Sequence, residues 1–552
     1  MSASSKKKLR KEQNLAAMTE KQLNEQKEAK KLKRYTWAFV IVMILVVLIA
    51  VGSVVRVPII GAIDRGSHAV NIGTHELTTT EMGYFYVDAI NEHYNEAYNT
   101  YGNYAQFFMG FVTGTPLNEQ EYLASEDFET WADYFMDKAI QNAKKIYALY
   151  DDAVKAGHKL NEEEQALLDS SVESVETMAK LYGYSSGNAY LRATYSTGAN
   201  LKTYKEYYTV NTIAASYYDA HRESLKYEND DFRAYEKDKM NNFSSFTYAT
   251  YSISVDSYLK GGTKSEDGKT TTYSDEEKAA ALKDAKADAD ALAAGTYADY
   301  EAFEKAVKAL AINKDNKNVS VSNNENVLFT GISNTDVQTW LGKTERKAGD
   351  VTAIPVVKKT TNEDKTTTET TTGYTVVIFF EADTNETKLV DVQHILIKYQ
   401  GGTTDSNGNT TYSAKEKEAA KEKIEAILTE WKGGAATKES FAELAKTKSE
   451  DTGSKANGGL YEDIYPGQMV EAFNDWCFDE SRKPGDTGIV ATEYGYHLIY
   501  FVETNDMTFR DYMIKNEMIT EDMEKWHDGL TEKVTSEIVD LSRMNWEYKF
   551  GN

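Results

Sequence analysis

The periodicity of apolar and polar residues changes along the chain, and each periodicity predicts a different kind of element. Residues 35–55 form one uncharged apolar run. From about residue 67 to 243, apolar residues recur every three or four positions, as they do in amphipathic helices. The later stretches VDVQHILIKY and YGYHLIYF alternate in a way that indicates strands, and each contains a histidine. These patterns predict one membrane span, a helical part and a part built on sheets.

The helical part has its clearest pattern in FETWADYFMDKAIQNAKKIYALYDDAVKAG. Four apolar residues of this segment share one helix face: Trp131, Phe135, Ala139 and Ala143. Gly157 is expected to end the helix, and Asn161 is the predicted N-cap of the next one. One short strand, HAVNIG, comes before these helices. We therefore predict a helical domain over residues 67–243.

The C-terminal part repeats a helical pattern of large apolar residues. Those that recur at this spacing are Met513, Met518, Met523, Trp526, Leu530 and Val534. A stripe of methionine and aromatic residues usually lies in a core. We predict one or two amphipathic helices over residues 506–552, packed back onto the helical domain.

Charge beside the apolar run predicts its orientation in a membrane. Residues 1–34 carry eleven Lys or Arg against four Glu, a net charge of +7. Because basic arms stay on the cytoplasmic side, we expect a cytoplasmic arm, a transmembrane helix over residues 35–55 and the bulk of the chain outside the cell. A cleaved signal peptide is the alternative. The long arm and an apolar run beyond the usual ~7–15 residues favour an uncleaved anchor.

Composition narrows the classes of function. The 552 residues carry a net charge of −25. Without the +7 of the basic arm, the rest of the chain carries −32, and this excess of acidic residues argues against a nucleic-acid partner. The length exceeds one core, so several domains are expected. A single cysteine, Cys477, excludes an internal disulfide. The eight histidines show no metal-ligand spacing, and the sequence predicts no metal and no cofactor.

Two segments of the chain resemble each other: GGTKSEDGKTTTYSDEEKAAALKDAKADADAL and GGTTDSNGNTTYSAKEKEAAKEKIEAIL. Each has a Gly-Gly start, a Thr-rich loop and a charged helix. The helices open with capping boxes formed by Ser274 with Glu277 and by Ser413 with Glu416. The likeness returns in the later strands GYTVVIFFEA and GYHLIYFVET. We predict two homologous modules in tandem, over residues 244–384 and 385–505.

The two copies differ at the histidines. Counting back from the shared Gly-Gly places Ser254 of the first copy at the position of His394. Thr375 likewise stands at the position of His497. Since the first copy lacks both histidines, we expect it to be inactive as an enzyme and to serve as a spacer or a client surface.

Six motifs of the second module occur in the order found in the parvulin family of peptidyl-prolyl isomerases. They are His394-Ile395-Leu396, Phe441 to Ala445, Ser449-Glu450-Asp451, Gly458-Gly459-Leu460, Gly467-Gln468-Met469 with Phe473, and Gly495-Tyr496-His497-Leu498-Ile499. The module therefore resembles a parvulin. This resemblance implies a small antiparallel sheet flanked by helices, and cis/trans isomerisation of X-Pro bonds.

The resemblance also implies roles for individual residues. It places four residues in a hydrogen-bonded group behind the substrate slot: His394, Asp451, Thr492 and His497. Met469 and Phe473 lie four positions apart, which suits one helix face lining an apolar slot for the proline ring, with Leu460 as a wall. Spacing alone would favour core histidines with purely structural roles, whereas the motif order favours a site. Proton transfer and orientation of the pocket both stay open as roles for the histidines.

The loop YQGGTTDSNGNTTYS after the first strand has no basic cluster, so a phosphorylated partner is not expected. As a whole, the chain resembles exported foldases of the PrsA and SurA type, which implies an α+β multidomain protein with a helical chaperone domain. The function so implied is a membrane-anchored foldase that binds unfolded exported proteins and proline-containing peptides. A holdase without isomerase activity and a membrane scaffold with one fixed partner are the alternatives. A homodimer stays open.

Overall fold

The computed structural model describes residues 42–43, 57–265, 269–314, 316–343, 345–361, 365–406 and 408–548. The predicted basic arm and all but two residues of the predicted span lie outside these ranges. Within them, no helix is both long and apolar enough to cross a bilayer. The chain divides into two compact units, Met1–Lys226 with Glu521–Asn552, and Tyr227–Thr520. The boundaries predicted for the individual domains stay predictions.

The first unit is mainly helical. Its helices are α1 (57–64), α2 (Thr79–Tyr101), α3 (Trp131–Ala156), α4 (Glu162–Leu181), α5 (Gly187–Thr194) and α6 (Leu201–Ser224). A small antiparallel sheet of order β15-β1-β2 completes it, with strands β1 (His68–Ile72), β2 (His75–Thr78) and β15 (Ser536–Ile538). The core lies between the sheet and helices α2 and α3.

Local sequence signals set the helix ends in this unit. The Thr130 side chain accepts a hydrogen bond from the Asp133 amide and begins α3, whose predicted apolar face is buried. Gly157 ends the helix in the left-handed conformation, at φ 72°, which glycine adopts without strain. Asn161 caps α4 as predicted. These local predictions are confirmed.

The C-terminal region contains one long helix, α14 (Phe509–Thr531), and no second one among the described residues. Its continuation turns into β15, in which Ile538 pairs with Val70 of β1. The residues around β15 are rich in β-branched side chains, which favour a strand wherever a partner edge is available. Farther on, Met544 and Tyr548 are buried in the core of the first unit.

The second unit holds two four-stranded antiparallel sheets with equivalent strand order, β6-β3-β8-β7 and β12-β9-β14-β13. The first is formed by β3 (Ser245–Ser254), β6 (Ser322–Leu328), β7 (Val351–Thr361) and β8 (Thr367–Asp383). The second is formed by β9 (Lys388–Lys398), β12 (Leu460–Ile464), β13 (Thr487–Ala491) and β14 (Gly495–Thr508). In each sheet, the strand that comes first in the chain is followed by a pair of antiparallel two-residue strands. These are β4 (Thr263–Lys264) with β5 (Thr271–Thr272), and β10 (Thr403–Thr404) with β11 (Thr410–Thr411).

Each sheet carries three helices at equivalent places in the chain, and α7 (Asn229–Glu236) precedes the first sheet. The first set is α8 (Asp275–Ala293), α9 (Tyr300–Ala309) and α10 (Thr335–Leu341). The second set is α11 (Ala414–Gly433), α12 (Lys438–Lys448) and α13 (Glu471–Cys477). Both predicted capping boxes are present, at Ser274 and Ser413.

The two modules also share their irregularities. The register of β3 on β8 slips between Thr247 and Tyr248, and that of β9 on β14 slips after Phe501 at the equivalent place. A residue with positive φ interrupts β6 at Asn326 and β12 at Asp463. Both modules stack an arginine on a tryptophan, Arg346 on Trp340 and Arg482 on Trp476. Shared defects of this kind indicate two copies of one fold.

The register corrects one equivalence. Gly373 pairs with Ser254 as Gly495 pairs with Lys398, so Ser254 corresponds to Lys398 and not to His394. The residue of the first copy that corresponds to His394 is Thr250. Counting from Gly-Gly failed because a 3-10 turn, Val255–Tyr258, lengthens the first copy between strand and loop. The first copy still lacks both histidines.

Arg510 links several segments of the second unit. Its buried guanidinium donates to Glu236 Oε2 at 2.5 Å and to the main-chain oxygens of Met240, Phe243 and Thr384. These oxygens belong to the segments that enter the first module and leave it. One cation therefore satisfies polar groups that would otherwise be buried without partners.

We expect Arg510→Met to lower the free energy of unfolding of this unit by about 3–5 kcal/mol, because it leaves buried main-chain oxygens and Oε2 of Glu236 without their donor. Chemical denaturation measures the change. Lys388→Met is the matched control, since its ion pair with Asp506 is exposed and should contribute less than about 1 kcal/mol. Equal losses in the two variants would contradict the role of Arg510.

Candidate active site

The two predicted histidines lie on neighbouring strands. His394 is in β9 and His497 is in β14, and the pairing of Ile499 with His394 sets them diagonally across the ladder. Their Nδ1 atoms are 3.2 Å apart, and the rings are nearly parallel with centroids 5.3 Å apart. Both side chains are buried. Antiparallel pairing thus brings together two residues that are 103 positions apart in the sequence.

Asp451 holds the outer nitrogen of the first histidine. Its Oδ2 lies 3.0 Å from Nε2 of His394. The loop that carries Asp451 follows α12 and is fastened to β9, because the buried Ser449 hydroxyl accepts from the Leu396 amide and the Glu450 amide donates to the Leu396 oxygen. Because this loop is hydrogen-bonded to β9, the strand that carries His394 also fixes the position of the Asp451 carboxylate.

Two further residues, which the sequence did not single out, complete the group. The buried Ser454 hydroxyl donates to Asp451 Oδ2 at 2.5 Å and lies 3.0 Å from His394 Nε2. The Tyr461 hydroxyl donates to the same carboxylate oxygen at 3.2 Å. Ser454 could have been found from its Asp-x-x-Ser spacing, which lets a carboxylate accept from the amide three positions on. No local signal pointed to Tyr461.

Thr492 lies on the other side, with its hydroxyl 2.9 Å from Nε2 of His497. When both rings are neutral, the ionised Asp451 requires a proton on His394 Nε2, so His394 Nδ1 accepts from His497 Nδ1. His497 Nε2 then accepts from the hydroxyl of Thr492. This single arrangement runs as a chain of hydrogen bonds from Thr492 to Asp451.

The pKa shifts follow from this network. The hydrogen bond from His394 is the main cause that keeps the pKa of Asp451 well below its usual range, with Ser454 adding to it. Burial, reinforced by the neighbouring His394, lowers the pKa of His497 to about 4. Burial and the nearby Asp451 carboxylate raise the pKa of Tyr461. At neutral pH the group therefore contains an ionised Asp451 carboxylate and a neutral His497 ring.

An apolar cluster borders the network. Phe473 is buried and meets both histidine rings edge to face, with centroids 5.6 and 5.4 Å away. Met469 packs in the same cluster and stays half-buried, so solvent and a ligand can reach it. Met469 precedes α13, which begins at Glu471, so the prediction that both residues share a helix face is wrong. The turn before the helix brings Met469 to the cluster.

The wall predicted at Leu460 is also wrong. Leu460 is opposite Gln393 in β12 and lies outside the cluster, because successive strand residues point to opposite faces. Its neighbour Tyr461 packs against the cluster that contains Phe473, and its ring centroid lies 5.2 Å from that of His394. An aromatic ring with a polar end therefore stands where an aliphatic wall was expected.

Among the described residues, no group of three or more His, Cys, Asp or Glu is placed to hold a metal ion. The first module has Thr250 and Thr375 at the histidine positions, and Val337 where the second module has Phe473. Asn313 lies in the loop that corresponds to the Asp451 loop, and its amide bonds to Tyr251. Within the described ranges, the carboxylate, both rings and the aromatic wall are thus found together in the second module and not in the first.

Residues 377–505 match the family described as the PPIC-type PPIASE domain. This stretch is a parvulin domain. It contains every predicted site residue, so the residues assigned by resemblance lie inside the matched region. Peptidyl-prolyl cis-trans isomerisation is the reaction of this domain class.

Curated relatives match part of the chain. Foldase protein PrsA 1 of Listeria innocua is 41% identical over 80 residues, which are 14% of this chain and 26% of that protein. Foldase protein PrsA of Staphylococcus epidermidis is 33% identical over 140 residues, which are 25% of this chain and 40% of that protein. The chain thus spans between a quarter and two fifths of these relatives' lengths. The likeness covers part of each protein and not the whole.

Solved structures give a similar picture. The peptidyl-prolyl isomerase PrsA of Bacillus anthracis aligns over 27% of this chain and 58% of its own, with 23% identity and a TM-score of 0.17. The PrsA structure of Bacillus subtilis gives 25% identity over 26% of this chain and 47% of its own, also with a TM-score of 0.17. Scores this low support no statement about the arrangement of the whole chain.

We expect the imidazole of His497 to titrate near pH 4. Because its pKa is lowered in the folded state, the unfolded chain binds more protons between pH 6.5 and 4, and stability falls as the pH falls through that window. The loss is about 3 kcal/mol at most. Histidine NMR across this range, with the signal assigned by His497→Gln, measures the midpoint. A midpoint at 6.5 or above would contradict the buried, neutral ring.

Proposed function

We propose that the parvulin domain of this chain isomerises X-Pro bonds of exported proteins. The observation that carries the proposal is the buried group of His394, His497 and Asp451 beside the apolar cluster of Met469 and Phe473. The apolar cluster can take the proline ring of the substrate, and the buried polar group can act on the amide that isomerises. The side chain of Asp451 is 20% exposed, so a bound peptide can touch it.

The reaction passes through a twisted amide against a barrier of ~20 kcal/mol, and no covalent bond forms or breaks. Resonance puts partial negative charge on the carbonyl oxygen of the planar amide. A fixed carboxylate near that oxygen disfavours the planar form more than the twisted one, and an apolar slot does the same. His394, Ser454 and Tyr461 hold Asp451 ionised and in place. These residues orient the pocket, and no proton needs to move.

We also propose that the protein is a membrane-anchored foldase outside the cytoplasm. Support comes from the basic arm and apolar run at the N-terminus, and from the similarity to proteins named foldases. Its clients would be unfolded exported proteins. Dimerisation would be compatible with this function and is open to test.

An exposed aromatic patch of the first unit supports client binding. The end of α2 and the segment after it carry large apolar side chains that face solvent: Tyr98, Tyr101, Tyr104, Phe107, Phe108 and Val112. Tyr104 and Phe107 are 68% and 73% exposed. Buried Ala105, Met109 and Phe111 anchor the same segment to the core, so these exposed rings extend from a fixed base. Such patches commonly mark interaction sites.

We expect Asp451→Asn to lower kcat/KM for an Ala-Pro peptide by at least about tenfold, because it removes the charge and keeps the shape. Exchange NMR of the peptide measures the rate. Asp463→Asn is the matched control, since this exposed carboxylate of the same domain has a positive φ that asparagine tolerates. Unchanged activity in Asp451→Asn would contradict the role of the carboxylate. Absence of activity in the unaltered chain would contradict the isomerase itself.

We expect the triple variant Tyr104→Ser, Phe107→Ser, Phe108→Ser to lose most of its suppression of aggregation of an unfolded protein, because it removes the exposed rings. Light scattering with reduced lysozyme measures the effect. Leu181→Ser, which alters another exposed apolar residue of this unit, is the control and should retain suppression. Full suppression by the triple variant would contradict a client-binding role for the patch. Protection of one partner alone would favour a scaffold.

A further inference from the structure

The first module has an open strand edge. Strand β3 pairs with β6 only as far as Thr250, which lies opposite Ser322, the first residue of β6. The strand continues to Ser254, paired with β8 on its other side. Ser252 and Ser254 are exposed, while Ile253 between them is buried. The outer edge of β3 at these residues therefore extends beyond its neighbour.

The second module closes the same edge with its own chain. By the shared register, Leu396 and Lys398 correspond to Ser252 and Ser254. The Leu396 amide donates to Ser449 Oγ at 3.2 Å, and its oxygen accepts from the Glu450 amide at 2.8 Å. The Lys398 amide donates to the Glu450 carboxylate at 2.8 Å. A short extended segment thus satisfies two amides and one carbonyl.

No counterpart of these bonds exists in the first module among the residues that the structure describes. In the segment after α9, the Asn313 side chain is instead held inward, donating to the Tyr251 hydroxyl and to the Val307 oxygen. A cavity of about 450 Å³ lies where the second module places its closing segment. Ser252 and Ser254 line it. Unpaired donors and acceptors beside a cavity form a template for another strand.

The residues that line this cavity indicate the chemistry of the ligand that it can bind. Apart from Ser252 and Ser254, its polar lining residues are Ser257, Asn313, Asn316, Asn318 and Ser320, together with Tyr251 and Tyr258. Of the lining residues that the structure describes, none is charged. Amide and hydroxyl groups can bond to main-chain and neutral polar groups, and they cannot compensate a buried charge.

We propose that the open edge of β3 binds an extended, uncharged segment of another polypeptide by strand addition. The segment donates one amide to the Ser252 oxygen and accepts from the amides of Ser252 and Ser254, as Ser449 and Glu450 do in the second module. The first module then binds peptides that need not contain proline. This proposal does not rest on the isomerase activity of the parvulin domain.

The test uses the full chain and a fluorescein-labelled, end-blocked peptide Thr-Val-Ser-Val-Thr-Val-Ser-Thr, which has neither charge nor proline. Fluorescence anisotropy measures its Kd. Ser252→Pro removes one amide donor at an edge position, where proline fits an extended strand. Ser252→Ala is the matched control, because it changes the side chain and keeps the amide. We expect at least tenfold weaker binding for the proline variant and a change under twofold for the alanine variant.

Hydrogen exchange gives a second readout without a variant. The amides of Ser252 and Ser254 should exchange at least tenfold more slowly with saturating peptide than without it. Isomerisation of an Ala-Pro peptide should be unchanged in both variants, which separates failure of this site from failure of the parvulin domain. Absence of peptide binding, equal binding by Ser252→Pro, or unchanged exchange would overturn the proposal. Protection of the amides without peptide, growing with protein concentration, would assign the edge to a second copy instead.

Discussion

The antiparallel pairing of β9 with β14 is the constraint on which the candidate site depends. It sets His394 and His497 side by side and fixes the distance between their Nδ1 atoms at 3.2 Å. When Nδ1 of His497 donates its proton to Nδ1 of His394, the Nε2 atom of His394 carries a proton and needs an acceptor. The Nε2 atom of His497 carries none and needs a donor. Asp451 and Thr492 supply them. The chemistry of the site thus follows from strand register, and the fastening of the Asp451 loop to β9 extends the same register to the carboxylate.

The two modules show what can change while a fold is kept. Strand order, the slips in register, the positive-φ residues and the stacked arginine and tryptophan are common to both. Among the described residues, the histidines, the carboxylate and the closing segment on the outer edge of the first strand are present only in the second. The histidines differ on the strands themselves, whereas the loop after α12 supplies the other two features. It carries Asp451 and covers the strand edge, and no described residue of the loop after α9 does either.

Sequence reasoning succeeded where a short segment decides the outcome. Capping boxes at Ser274 and Ser413, the end of α3 at Gly157 and the order of motifs around Asp451 depend on neighbouring residues alone. It failed where the alternation of side chains along a strand, or an inserted turn, decides which residue faces the site. Leu460 was misplaced because one step along a strand reverses the side chain's face, and Ser254 because a 3-10 turn shifted the count. Tyr461 was missed because its partner, Asp451, comes near it only through tertiary structure.

The central claim is that one slot, bordered by Met469 and adjoining Asp451, takes the proline of a substrate. Methyl NMR of the methionines during titration with an Ala-Pro peptide tests this claim most directly, with the Met469 signal assigned by Met469→Leu. The account predicts a saturable shift of the Met469 methyl signal, and exchange between cis and trans peptide that is faster than in buffer. A peptide that leaves Met469 unchanged, or one whose isomers exchange no faster than in buffer, would contradict it.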